Sequence, residues 1–234
     1  MCRDVSDRTV LVTGGTGGLG AAVTRAFLDD GWRVVVPWIV ERELQRVEEH
    51  ERLELVQADL FDAGDVDAVV EVAAGYEGAP LHSVVNLVGG FSAPGKVADT
   101  PIDDFEAQFR INLRPLYLIA AATMPHLQAD GGTLVAVSTR AALRPFAGAA
   151  GYCSSKAAVI AFIGCLDAEY KDDGVRANAI VPSIIDTPGN RASQPDADTA
   201  KWVKPGQIAQ TVLWLCSDAS SATSGAAVPV YGRA

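Results

Sequence analysis

The chain has 234 residues, 49% of them hydrophobic and 21% charged, with a formal net charge of −10. That is enough apolar material for the core of one globular domain over residues 1–234, and the acidic balance without any Lys/Arg cluster would repel a nucleic-acid backbone. No run approaches the roughly 18 apolar residues of a membrane span, and the opening MCRDVSDRTV lacks a secretory leader's basic and apolar regions, so a cytoplasmic protein without membrane or nucleic-acid partners is expected.

In chain order, strand-length apolar runs alternate with segments of helical period. A strand over 9–13 enters a glycine-rich turn and a helix over 18–30; strands over 33–37 and 53–57 precede helices over 41–50 and 62–74. A strand over 83–88, a helix over 102–128, a strand over 133–138, a helix over 151–172, a strand over 175–181, a helix over 205–217 and a strand over 226–230 follow. Runs such as RVVVPWIV and SVVNLV lack the polar alternation of a half-exposed strand, which places them in a parallel sheet covered on both faces. The fold class is therefore α/β, a doubly wound seven-stranded parallel sheet flanked by helices. One irregular interval, PSIIDTPGNRASQPDADTAKWVKP over 182–205, follows a strand and is polar and proline-punctuated. It is expected to form a short substrate lid at the carboxyl edge of the sheet.

The turn TGGTGGLG reads in two registers: Gly15, Gly17 and Gly20 as G-x-G-x-x-G, or Gly14, Gly18 and Gly20 after Thr13 as G-x-x-x-G-x-G. In either, glycines allow close backbone approach, and the following helix aims its N–H groups at a pyrophosphate, with Thr16 and Leu19 inside the turn. Asp59 and Leu60 follow the third strand, where a carboxylate can accept from an adenine amino group or cap a helix. Asn86 and Gly89 follow the fourth, beside the cofactor. The residue after the second strand is Trp38, where an NAD-binding unit would carry a carboxylate. Arg42, one turn on, is a candidate partner for a 2′-phosphate and equally a solvated arginine beside Glu41, which tilts the expectation toward NADP(H) over NAD(H).

Tyr152 and Lys156 lie four residues apart, on one face of one helix. An ammonium about 4 Å from a phenol is worth about 4 kcal/mol at an effective dielectric near 20, enough to bring a phenol with an ordinary pKa of about 10 into use as an acid or base. Ser138 and Thr139 end the fifth strand, where a hydroxyl can hold a substrate carbonyl. Asn112 is a poor helix former at a buried site, either satisfied by backbone or there for a carbonyl that anchors a proton-relay water near Lys156. Pro182 and Thr187 follow the sixth strand, suited to a nicotinamide carboxamide. The four cysteines, Cys2, Cys153, Cys165 and Cys216, have no metal-ligand spacing, and no metal site is expected; Cys153 packs.

Together these residues resemble the short-chain dehydrogenase/reductase family over nearly the whole chain. Thr13, Gly14, Gly18 and Gly20 match its T-G-x-x-x-G-x-G turn, which selects the second register, and Asn112, Tyr152 and Lys156 match three members of its Asn-Ser-Tyr-Lys tetrad. The resemblance implies a Rossmann-like fold and hydride transfer between a nicotinamide and a small carbonyl or alcohol. In that chemistry Tyr152 carries the proton, and Lys156 bonds the nicotinamide ribose and lowers the tyrosine's pKa. It also implies that Pro182, Ile185 and Thr187 hold the carboxamide, and that the chain is a homodimer or homotetramer built on its two long helices. Three departures stand out: the serine of the tetrad falls on Thr139, with Ser138 the alternative hydroxyl; N-N-A-G becomes NLVGG; and Ser183 replaces the glycine after Pro182. The lid and the VGGF segment resemble the dihydropteridine reductase branch, although Asn112, Thr139 and Trp38 depart from it. Pterin reduction and non-catalytic nucleotide sensing are the alternative functions.

Overall fold

A computed structural model describes residues 8–233; Cys2 lies outside them. Seven parallel strands form one sheet in the order β3-β2-β1-β4-β5-β6-β7: β1 (Thr9–Thr13), β2 (Arg33–Trp38), β3 (Leu53–Gln57), β4 (Leu81–Asn86), β5 (Thr133–Val137), β6 (Arg176–Pro182) and β7 (Ala227–Val230). Successive side chains on a strand point to opposite faces, and the core divides accordingly. Leu11, Val84, Leu134 and Ala177 face one layer made by α2 (Ala63–Ala74), α3 (Ile102–Asp130) and α5 (Ala150–Tyr170). Val10, Val12, Val34 and Ile180 face the other, made by α1 (Gly20–Asp29) and α7 (Pro205–Cys216). Two short helices, α4 (Arg140–Leu143) and α6 (Pro188–Ser193), sit after β5 and β6 at the carboxyl ends of the strands.

The chain direction reverses its progress across the sheet between β1 and β4, where Thr13 and Asn86 stand side by side. That switch point opens the crevice in which ligands of such sheets bind. The Thr13 hydroxyl donates to Asn86 Oδ1 across it, 2.8 Å and fully buried, so the two strand ends are locked in register at the floor of the crevice.

Three sequence expectations shift. The helix expected over 41–50 is a 3₁₀ helix confined to Glu41–Arg46 with no buried residue, because a segment that charged has no apolar face to hold a longer helix against the sheet. The fourth strand lies two residues earlier than expected, at Leu81–Asn86, which leaves Gly89 and Gly90 in the loop beyond it. The polar interval 182–205 is not wholly irregular: it holds α6, capped by Thr187, and a 3₁₀ turn at Thr199–Lys201. No helix among the described residues is long and apolar enough to cross a membrane.

Candidate active site

The glycine turn owes its shape to Gly14 and Gly20. Gly14 has φ of +69°, and a Cβ on Gly20 would fall 1.9 Å from the Gly14 carbonyl oxygen, so the chain closes on itself tightly enough to start α1 directly beneath the turn. Leu19, at the N-cap of α1, makes no side-chain capping bond, which leaves the helix N-terminus open toward the crevice. Gly18 faces Thr187: a Cβ there would meet the threonine's Cβ at 3.2 Å, so the turn and the start of α6 form opposite lips of one groove. These features fit a dinucleotide pyrophosphate: a cradle without side chains, lined by backbone and headed by a helix N-terminus.

Beyond the turn, the outer candidates separate. The Thr16 hydroxyl donates to Glu43 at 3.2 Å, and Arg46 donates to the Thr16 carbonyl at 3.3 Å while pairing with Glu43 at 2.9 Å. Arg42 is exposed, and Trp38 is half-buried at the end of β2, its carbonyl taking the Ala58 N–H. Asp59 is exposed with one carboxylate oxygen on the Phe61 N–H at 2.9 Å; the cap of α2 is Asp62 instead. The Leu60 side chain lies in the core, so only its backbone can face a ligand. On the far side, Pro182 is buried at the end of β6, and Ile185 bridges to Val203. Ser183 donates its hydroxyl to the Tyr231 carbonyl at 2.7 Å, and Arg140 lies over the Tyr231 ring, so Tyr231 is fixed beside the site.

The adjacent hydroxyls just beyond β5 have different partners. Ser138 is buried and donates to the Lys156 carbonyl at 2.7 Å, a bond that fixes α5 to the strand and takes the serine away from the crevice. Thr139 lies beside the Tyr152 phenol and lowers its pKa, and it caps α4, accepting from the Ala141 N–H at 3.3 Å. Of the two hydroxyls, Thr139 is the one near the tyrosine.

Lys156 is 5% exposed, and its Nζ donates to the Val137 carbonyl at 3.0 Å; burial lowers its pKa from the ordinary 10.5 to about 8. The tyrosine departs from expectation. Burial holds the Tyr152 phenol above its ordinary 10, only partly offset by Thr139, and the ammonium of Lys156 does not depress it because that group is turned toward Val137. Tyr152 is accordingly a neutral phenol at neutral pH, a form ready to give a proton.

Asn112 is fully engaged: its Oδ1 accepts from the Gly90 N–H at 3.0 Å, and its Nδ2 donates to the Gly90 carbonyl at 3.2 Å and to Ser155 Oγ at 3.0 Å. Ser155 in turn donates to the Tyr152 carbonyl, so Asn112 links the loop after β4 to the helix turn that carries the tyrosine. The side chain is thus satisfied by the Gly90 backbone and Ser155. Sequence reasoning missed Ser155, although its position three residues after Tyr152 puts it on a neighbouring face of α5. It also missed why Gly89 is a glycine: a Cβ there would lie 2.7 Å from Asn112 Oδ1 and 2.8 Å from Lys156 Nζ. Gly89→Ala is expected to push the amine off Val137 and strain the Asn112 amide against Gly90, lowering turnover by about 10²-fold and the melting temperature with it. Steady-state kinetics beside a melting curve would check this, and an unchanged kcat would contradict it.

A model of the short chain dehydrogenase family matches residues 8–198. The chain is 30% identical, over 96% of its length and 97% of the relative's, to 2-(R)-hydroxypropyl-CoM dehydrogenase of Xanthobacter autotrophicus. It is 32% identical to protein FixR of Bradyrhizobium diazoefficiens over 96% of its length and 86% of the relative's. Among solved structures, 3-ketoacyl-(acyl-carrier-protein) reductase from Brucella melitensis, complexed with NADH, superposes with a TM-score of 0.86 at 27% identity, covering 97% of this chain and 98% of that one.

Proposed function

The chain belongs to the short-chain dehydrogenase family, and on that premise we propose how its residues divide the work of an NAD(P)(H)-dependent oxidoreductase acting on a small carbonyl or alcohol. A bound nicotinamide supplies or takes up the hydride. The protein supplies everything else. Gly14, Thr16, Gly18, Leu19 and Gly20 cradle the pyrophosphate, with Trp38, Asp59, the Leu60 backbone, Asn86 and Gly89 along the adenosine and ribose side and Pro182, Ile185 and Thr187 at the nicotinamide end. Thr139 holds the substrate oxygen and Tyr152 gives it a proton or removes one, while the buried charge of Lys156 supports the adjoining ribose and Asn112 positions the tyrosine's helix turn. The observation that carries this reading is the convergence of Lys156 and Asn112 on Gly89, with Asn112 tied through Ser155 to the helix turn of Tyr152, at one end of the crevice that the glycine turn heads. A protonated phenol can give its proton to the substrate oxygen in the reductive direction.

NADP(H) is the favoured cofactor. Arg42 is exposed and Arg46 is held against the turn, which supports Arg42 as the partner of a 2′-phosphate. Arg42→Ala is expected to weaken NADPH binding about tenfold and leave NADH binding nearly unchanged. Fluorescence titration with each would decide it, and equal effects would remove Arg42 from the site.

The segment 182–205 serves as the substrate lid within a single domain, supported by its place at the carboxyl ends of the strands, with Thr187 opposite Gly18. The protein works in the cytoplasm as a homodimer or homotetramer joined through α3 and α5, where Tyr117 is 60% exposed and its ring meets Phe162 at a tilt, 6.0 Å between centroids. Turnover of a quinonoid pterin in preference to ketones would move the assignment to the dihydropteridine reductase branch, and cofactor binding that Tyr152 and Lys156 never convert to turnover would leave a sensor.

A further inference from the structure

We propose that the carbonyl substrate bears an aromatic ring next to its reacting carbon and that Phe91 and Phe146 select it, an inference that rests on the reading of Tyr152 as proton carrier. Phe91 stands two residues beyond Gly89, and its ring meets the Tyr152 ring edge to face, 4.9 Å between centroids and 88° between planes. Phe146, from the loop between α4 and α5, lies 6.5 Å from Phe91. The two loops are tied by their backbones: the Gly95 N–H donates to the Gly148 carbonyl at 3.3 Å, and both glycines hold positive φ, +150° and +88°. The rings are therefore set side by side by main-chain geometry that only glycine adopts readily.

Both rings remain open, Phe91 at 63% exposure and Phe146 at 50%. An exposed phenylalanine forgoes the burial that stabilises most of its kind, and two of them joined to the tyrosine form a wall of ring faces and edges. Thr139 and Lys156 bring polar tips to the Tyr152 side of the site and suit a carbonyl oxygen and a ribose. The phenylalanines offer nothing polar, and so receive the substituent that the carbonyl carries. A flat ring completes edge-to-face and offset contacts with such a wall that a saturated ring of the same size cannot make. Phe146 also walls a cavity of about 490 Å³ shared with Val97, Ala142, Pro145 and Cys153. Its ring thus limits how far a substrate can extend in that direction.

The test is kcat/KM, with reduced cofactor, for a panel of aryl ketones and their size-matched saturated partners, acetophenone and cyclohexyl methyl ketone being the simplest pair. The wild type is expected to prefer the aryl members about tenfold, the order of effect of one aromatic contact. Phe91→Ala should bring the ratio close to one, mainly through KM, and Phe91→Tyr should keep it. Phe146→Ala should shift the preference from phenyl to naphthyl ketones by opening the adjoining cavity. A wild-type ratio near one, or a Phe91→Ala that lowers both members equally as loss of a mere brace for Tyr152 would, overturns the aromatic assignment and leaves the oxidoreductase reading standing. Turnover of no ketone at all overturns both.

Discussion

Tyr152→Phe is expected to lower turnover by about 10³-fold or more while leaving cofactor affinity nearly intact. The substitution removes one oxygen from a well-supported ring. The edge-to-face contact with Phe91 survives, and Thr139 keeps a partner because its hydroxyl oxygen still accepts from the Ala141 N–H. No buried group is orphaned, so a melting temperature close to wild type should accompany the loss. Comparing kcat with the cofactor dissociation constant separates proton carriage from binding: a variant retaining wild-type turnover would show that another group moves the proton, and one that lost cofactor binding would show that the phenol is part of the nucleotide site.

Lys156→Met is expected to abolish most turnover, by about 10²- to 10³-fold, and to make the protein more stable. The ammonium is almost entirely buried with the Val137 carbonyl as its partner, and burial lowers its pKa from 10.5 to about 8. Between those values the folded chain binds fewer protons than the unfolded one, so stability rises with pH across the window. At pH 7, below both, the charged amine is a standing cost on the order of 3 kcal/mol, from which the lost bond to Val137 subtracts about 1 kcal/mol. A net gain of about 1–2 kcal/mol at pH 7 is expected, falling by half or more at about pH 9.5, where the folded lysine is already neutral. Chemical denaturation at the two pH values would measure it. A variant destabilised at pH 7 would mean that the lysine holds the fold together. Stability given up at one residue while activity depends on it is the mark of a group retained for chemistry.

Much of the sheet was legible because parallel strands covered on both faces must be apolar throughout, as Val10–Val12 and Val34–Val36 are. The charged segment after β2 misled because its spacing allows a helix while its composition gives that helix nothing to bury, and the chain makes only a 3₁₀ helix there. Tyr152 and Lys156 were visible through their spacing on α5, but their mutual electrostatics were not, since the direction of the Lys156 amine depends on the Val137 carbonyl of another element. The different partners of Ser138 and Thr139 were closed to the sequence for a similar reason: both lie just beyond β5, and the Ser138 hydroxyl is held by the Lys156 carbonyl of another element. Phe91 and Phe146 carry no motif, being 55 residues apart on loops that meet through one glycine-to-glycine bond.

The most direct measurement is a titration of the purified protein with NADPH and with NADH, followed by nicotinamide fluorescence. Saturable binding, tighter for NADPH and preserved in Tyr152→Phe, is the expected result, because the cradle from Gly14 to Gly20 and the facing lip at Thr187 are independent of the phenol. Binding of neither nucleotide would contradict the assignment of the crevice to a nicotinamide cofactor, and with it the oxidoreductase function.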